Sequence, residues 1–422
     1  MNSRCRQIIV ATFAITSLLG FSLNASAADY RVRGSVGGSA YGYQDPDNQH
    51  HVWLLENTSA SLYKTESPWS LHFSGGWIGD YQYKEGLAED DRVRFTRGYL
   101  RYGDLGSPVR AQLGRFFLVR GPAVGVLDGI DVNYRFKRGI NVAAFAGVWG
   151  PLTREFEFED PNESMAFGGE IGWVGRNFLF ARQTHVALTY ANIERDGEVL
   201  RHRVGLQSTH RFSRGITWYN LARFRMEGNV LRRLVSRVRM NGDICTRMVE
   251  VAVVSAEAPE SSYFSDFEES TFTRIRLAAD RWIVKDMWGF GFDAAALLTK
   301  SSGYRVGPYA KFPFGRIGYR FYMGDQPAAN GVWAQANYSP WGPLEVYAYG
   351  SFASYEWEAF DNQSSESNDI LSLYGGVNVQ PPMFSNLRIK LEYQHFQTPQ
   401  YDEDRRAMIG IRWGFDTAEV MR

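Results

Sequence analysis

The residues with most chemistry to offer are arginines set two positions apart. Arg31 and Arg33, Arg201 and Arg203, Arg274 and Arg276, and Arg388 and Lys390 form such pairs, and Arg94, Arg110, Arg320 and Arg412 also stand opposite apolar neighbours. A period of two puts all such side chains on one face of a strand. Guanidinium holds carboxylate or phosphate through two parallel hydrogen bonds, and a ladder of fixed positive charge attracts anions and repels cations. The same cations can instead pair with acids on their own face, here Asp131, Glu170, Asp293, Glu345 and Glu392, and brace a wall.

Other chemistries find little support. The chain has no G-x-S-x-G nucleophile elbow and no H-E-x-x-H metal pair. His50 and His51 fall in a loop, and His72, His185, His202, His210 and His395 fall on separate strands. No enzyme activity, metal or cofactor is expected. Acidic runs at 89–91, 155–163, 266–269 and 402–404 lack the spacing of a calcium-binding EF-hand loop and read as solvated loops.

The elements that must position the arginines are strands. In residues 387–396, Leu387, Ile389, Leu391 and Tyr393 alternate with Arg388, Lys390, Glu392 and Gln394; in 407–415, Ala407, Ile409, Ile411, Trp413 and Phe415 alternate with Met408, Gly410, Arg412 and Gly414. Similar alternation recurs at 30–43, 51–63, 69–81, 92–102, 109–113, 130–136, 140–149, 165–173, 184–193, 200–212 and 216–225. It resumes at 272–284, 288–298, 305–312, 316–323, 332–338, 344–355 and 370–379. With two less regular strands within 229–255, the chain is all-β, with about 22 strands in a range of roughly 18 to 22.

Composition agrees. Aromatic residues make up 15% of the chain and glycines number 42, while long helical apolar patterns are missing. Arg4 and Arg6 precede an uncharged run over 8–23 and small residues at Ala25, Ser26 and Ala27, the pattern of a signal peptide spanning 1–27. The run is shorter than the roughly 18 to 20 residues that span a bilayer. Beyond it stand 44 basic and 46 acidic residues, so nothing points to nucleic acid, and the one cysteine, Cys245, allows no internal disulfide.

Connections alternate in length. Short ones at 65–68, 137–139, 213–215, 314–315 and 339–342 suit tight turns; longer polar ones fall at 44–50, 84–91, 150–164, 262–270, 356–369 and 397–405. Short turns on one side and long loops on the other mark transmembrane barrels, as do rings near strand ends such as Trp69, Tyr102, Trp149, Trp173 and Trp341. Backbone groups in hydrocarbon must be paired, so a sheet in a membrane must close.

On these residues, 28–415 resembles the bacterial outer-membrane β-barrels of the porin type, with 416–422 as a short tail. The last strand, 408–415, resembles the C-terminal signal read by the barrel-assembly machinery, with Ile411, Trp413 and Phe415 as its apolar residues, although such barrels usually stop at the final aromatic. Leu113-Gly114-Arg115 followed by Leu127-Asp128-Gly129 is similar to a pairing in alginate-export-type channels. The resemblance implies a signal-directed outer-membrane location and contact with lipid and lipopolysaccharide, to which loop acids could bind through divalent cations. It further implies passive diffusion of small hydrophilic solutes, anionic ones or an anionic polymer included. The lumen would be lined by Arg31, Arg33, Arg94, Arg110, Arg201, Arg203, Arg274, Arg276, Arg320, Arg388, Lys390 and Arg412. A non-conducting barrel that anchors or scaffolds envelope components is the alternative, and a secreted multi-sandwich protein the bland one.

One segment breaks the pattern. Residues 225–262 contain Cys245 but no aromatic side chain. An inward-folded loop or plug, an irregular strand pair and a local frameshift are all compatible with that.

Overall fold

The computed structural model describes residues 30–44, 50–80, 92–104, 106–150, 160, 163–178, 180–213, 215–255, 271–299, 302–324, 329–355, 368–398 and 401–417. The proposed signal peptide, tail residues 418–422 and most of the residues in the long loops at 44–50, 84–91, 150–164, 262–270 and 356–369 lie outside them.

The strands run β1 (Tyr30–Gln44), β2 (His50–Lys64), β3 (Trp69–Asp80), β4 (Arg92–Tyr102), β5 (Val109–Arg120), β6 (Ala123–Arg135) and β7 (Ile140–Trp149). Next come β8 (Ser164–Gly175), β9 (Gln183–Arg195), β10 (Glu198–Arg211), β11 (Ile216–Arg225), β12 (Val230–Asn241), β13 (Cys245–Ser255), β14 (Thr271–Val284) and β15 (Trp288–Leu298). The series ends with β16 (Gly303–Phe312), β17 (Gly315–Gly324), β18 (Ala329–Trp341), β19 (Leu344–Tyr355), β20 (Asn368–Val379), β21 (Leu387–Thr398) and β22 (Tyr401–Asp416). Each pairs antiparallel with the next, and β22 pairs with β1, so the 22-stranded sheet closes into a barrel without an edge strand.

The alternation sets the two faces. Leu391, Ile409, Ile411 and Trp413 are exposed on the outside, as lipid-facing side chains are in a barrel described without lipid. The seam between first and last strand carries its own fastening. Phe415 stands opposite Gly34, where a Cβ would fall 2.6 Å from its ring, so only glycine lets the ring lie there. Just beyond, Asp416 takes a hydrogen bond of 2.8 Å from Arg31 Nε and one of 2.5 Å from Arg31 Nη2, and the Thr417 hydroxyl accepts from the Val32 amide at 3.0 Å. The first residues of the expected tail therefore clasp the seam.

At the barrel end that carries Tyr30 and Asp416, connections run from two to seven residues, short as expected. One of them, between β4 and β5, is organised by Asp104. Its carboxylate accepts from the Ser107 hydroxyl and from the Gly106 and Ser107 amides, and these bonds hold its pKa below the usual value.

Four expectations are corrected. Residues 226–255 form no plug: β12 and β13 are consecutive wall strands, paired from Arg233↔Val254 to Asn241↔Thr246. Their inner face is filled without rings: Val235 and Ala252 pack with Leu221 of β11, and Glu250 ties Arg237 to Arg274. The connection expected at 397–405 shrinks to 399–400, because the acids at 402–404 belong to β22 and Arg406 pairs with Asp404. Long loops do not hold throughout the opposite end, where β5–β6, β9–β10 and β11–β12 also join tightly. Finally, Trp149 is no interfacial ring but is buried, at 6% exposure, for a reason that concerns the lumen.

Candidate functional site

The strands β5 and β6 run well past the 109–113 and 130–136 stretches in which alternation is clear. Their ladder continues from Val109↔Tyr134 to Arg120↔Ala123. Yet β4 pairs with β5 only from Tyr102↔Ala111 to Gly98↔Arg115, and β6 with β7 only as far as Leu127↔Trp149. Residues 116–126 are thus a hairpin that leaves the wall.

It folds inward. At its tip, the Gly121 carbonyl accepts a hydrogen bond of 3.0 Å from Arg223 Nη2 on β11, and a Cβ on Gly121 would fall 2.2 Å from the Thr189 hydroxyl of β9. Arg120 reaches Asp131, with bonds of 3.1 and 2.9 Å, and stands 3.9 Å from Glu170. One hairpin face presents Phe116, Leu118, Ala123 and Leu127 to Phe145, Trp149, Ala166, Ala191 and Ile193 of the inner wall, and every one of these is nearly or fully buried. On β9 the contrast is direct: Leu188 on the lipid side is 50% exposed, while Ala191 on the lumen side is 1% exposed. Trp149 is buried because the hairpin covers it.

The crease has a chemical basis in the motif noted above. Gly114, Gly129 and Gly147 occupy one register row across β5, β6 and β7. Gly114 sits at φ +120°, which side-chain-bearing residues rarely adopt, and a Cβ on Gly129 would fall 2.7 Å from the Gly147 Cα. One step beyond the crease, Arg115 and Asp128 face each other and pair through bonds of 2.7 and 2.6 Å. Arg115 also donates to the Phe95 carbonyl at 3.3 Å, on the β4 edge that β5 has left.

Bending puts the outer face of this hairpin into the lumen. A cavity of about 890 Å³ is bounded by Phe117 and Val126 of the hairpin, by Ser35, Asn57 and Ser59, and by Asn378 and Lys390 from the far side of the seam. The charged side chains lining it are Arg97, Arg115, Arg388, Lys390 and Arg412, and none of its lining residues is acidic. Arg115 pairs with Asp128, and Lys390 with Glu392 at 2.8 Å. Arg97, Arg388 and Arg412 have no carboxylate within ion-pair distance among the described residues; Arg412 meets the Ser35 hydroxyl at 3.0 Å. A smaller adjoining cavity adds Arg33 beside Arg388 and Arg412, together with Asp416, the partner of Arg31.

The opposite wall differs. Glu250, with its side chain fully buried, accepts from Arg237 Nε at 2.6 Å and from Arg274 at 2.7 Å. Asp293 joins Arg276 to Arg305 at 2.5 and 2.8 Å, Asp280 pairs with Lys311, and Arg320 lies 5.5 Å over the Trp333 ring. These arginines brace the wall.

The fold brings together Arg33, Arg388, Lys390 and Arg412 of the sequence-derived set. Arg31 is taken by Asp416. Arg110 approaches Asn133 at 3.4 Å, Arg94 stands opposite Gly76, and Arg203 opposite Arg225 with Arg201 two residues along β10. Alternation missed Arg97, Arg115, Phe117, Val126 and Arg223. One signal was there to be read, since Arg115 and Asp128 put charge on a face that is otherwise apolar at Leu113, Phe117 and Ile130.

No family model matches the chain, and no curated protein matches it. Among solved structures it is similar to the translocation pore of the P pilus usher PapC, with a TM-score of 0.52 at 8% identity, covering 91% of this chain and 99% of that one. The fold is that of an outer-membrane β-barrel. The chain is also similar to OccAB4 of Acinetobacter baumannii (TM-score 0.45, 7% identity, 92% and 98% covered). A further likeness is to OpdK of Pseudomonas aeruginosa, solved with vanillate (TM-score 0.43, 10% identity, 92% and 99% covered).

Proposed function

We propose that the protein is a passive diffusion channel of the bacterial outer membrane for small hydrophilic anions. The observation that carries this reading is the cavity beside the seam, where every charged lining side chain is basic. Asp128 and Glu392, which pair with Arg115 and Lys390, are not among the residues lining this cavity, so the charge it presents to a solute is basic. Of the residues expected to line the pore, Arg33, Arg388, Lys390 and Arg412 carry the selectivity in this account, while Arg274 and Arg276 hold acids and contribute mainly to the wall.

The inward hairpin narrows the passage and sets the size of what passes. Barrel architecture and the neighbours' fold support a transporter over an enzyme. Export by the signal peptide over 1–27, recognition of Ile411, Trp413 and Phe415 by the barrel-assembly machinery, and loop contact with lipopolysaccharide complete the proposal. Reversal potential across a planar bilayer under a potassium chloride gradient tests it: the sign for chloride preference supports the reading, and the sign for potassium preference overturns it.

A further inference from the structure

The hairpin turned into the lumen carries the wrong kind of surface for a purely hydrophilic passage. Below the crease, Leu113 and Ile130 face outward as lipid-facing side chains do. Beyond it, the same face of the same two strands continues with Phe117, Val119, Val124 and Val126, of which Phe117 is 45% and Val119 65% exposed. Phe117 and Val126 stand in the cavity whose other side is Arg388, Lys390 and Arg412. Water covers these apolar groups at a free-energy cost that a ligand with an apolar body would remove. Binding sites commonly combine such a surface with a few charged groups that fix orientation.

Building on the reading of the barrel as an anion channel, we infer that this cavity is a binding site for anions with an apolar body, aryl carboxylates or alkyl carboxylates longer than acetate. The carboxylate lies on Arg388, Lys390 and Arg412, where guanidinium can hold both its oxygens. The body lies against Phe117 and Val126. Affinity rises with apolar area, while a small anion such as chloride or acetate passes without lingering.

The test uses the full-length mature barrel in lipid nanodiscs, with empty nanodiscs as the blank. Isothermal titration calorimetry compares acetate, phenylacetate and 4-phenylbutanoate, with the cation 4-phenylbutylammonium as the charge control. Block of chloride current by the same compounds is recorded in planar bilayers. At about 0.8 kcal/mol per buried methylene, half-covered bodies predict 4-phenylbutanoate at least about tenfold tighter than acetate. The double variant Phe117→Ser, Val126→Ser should lose that gain and keep its chloride preference. Arg388→Gln with Arg412→Gln should weaken every anion. Val119→Ser, on the exposed part of the hairpin away from this cavity lining, serves as a folding control.

Equal affinity for acetate and 4-phenylbutanoate, or a tenfold gain that survives Phe117→Ser, Val126→Ser, overturns the inference. Equal binding of the cationic control also overturns it. A barrel that binds 4-phenylbutanoate but passes no current keeps the site and refutes the channel.

Discussion

Undocking the hairpin is the perturbation whose size can be worked from the structure. Phe116, Leu118 and Leu127 are each at most 2% exposed, and burying three such side chains contributes roughly 5 to 9 kcal/mol. In the variant Phe116→Ser, Leu118→Ser two of the three contacts go and two hydroxyls are left facing Phe145 and Trp149. What remains, chiefly Leu127 and the Arg223 bond to Gly121, contributes roughly 3 to 6 kcal/mol. The variant thus gives up roughly 3 to 6 kcal/mol of the docking free energy, enough to shift the docked–undocked equilibrium by about two orders of magnitude or more. The hairpin should then spend far more of its time off the wall. The wall ladders do not depend on it, so the variant should still assemble and show a heat-dependent shift on electrophoresis. Single-barrel recordings should show larger and noisier conductance than the parent. A well-assembled variant with unchanged conductance would refute the inward hairpin as the constriction.

Replacing Arg223 with Ala removes one hydrogen bond from a charged donor, worth roughly 1.5 to 3 kcal/mol, and should give brief openings between two conductance levels. Gly129→Val places a Cβ 2.2 Å from the Ala146 carbonyl and should open the crease, raising mean conductance as the serine pair does. Trp413→Ser with Phe415→Ser should impair membrane assembly, read as loss of the heat-modifiable band; normal assembly would show that these rings are not the signal. Asp104 titrates below its ordinary 3.8, so its contribution to the β4–β5 turn is complete above that value and lost as pH falls through the lower folded value. Protection of the Gly106 and Ser107 amides relative to intrinsic exchange should fall only below about pH 4, and that dependence should be lost in Asp104→Asn.

Much of the barrel was legible because the membrane imposes a strict alternation. Ile409, Ile411 and Trp413 announce a lipid-facing strand against Arg412, and each strand repeats the same instruction. The aromatic-free stretch misled for the opposite reason: Val235 and Ala252 build a wall as well as rings do, and the pairing of Arg237 with Glu250 is invisible in the strand sequence. The arginine ladder was legible as a face but not as a site, because whether a guanidinium faces water or an acid depends on the neighbouring strand's register. Arg388 and Arg276 look alike in sequence, yet Asp293 takes the second. The inward hairpin was harder still. Alternation stops after Leu113: Arg115 falls on the apolar face and Phe116, Phe117, Leu118 and Val119 are apolar on both faces, a run that a period of two cannot assign to the wall or to a strand bent off it. What could have been read was the glycine at each end of the motif, Gly114 and Gly129, with a facing charge pair just beyond on an apolar face.

The central claim is that the lumen selects by positive charge gathered at Arg33, Arg388, Lys390 and Arg412. Its most direct test is the reversal potential of single barrels in a potassium chloride gradient, measured for the parent and for Arg388→Gln, Lys390→Gln, Arg412→Gln. Chloride preference in the parent that falls toward neutrality in the triple variant is the predicted result; potassium preference in the parent, or a reversal potential that the triple variant leaves unmoved, would contradict it.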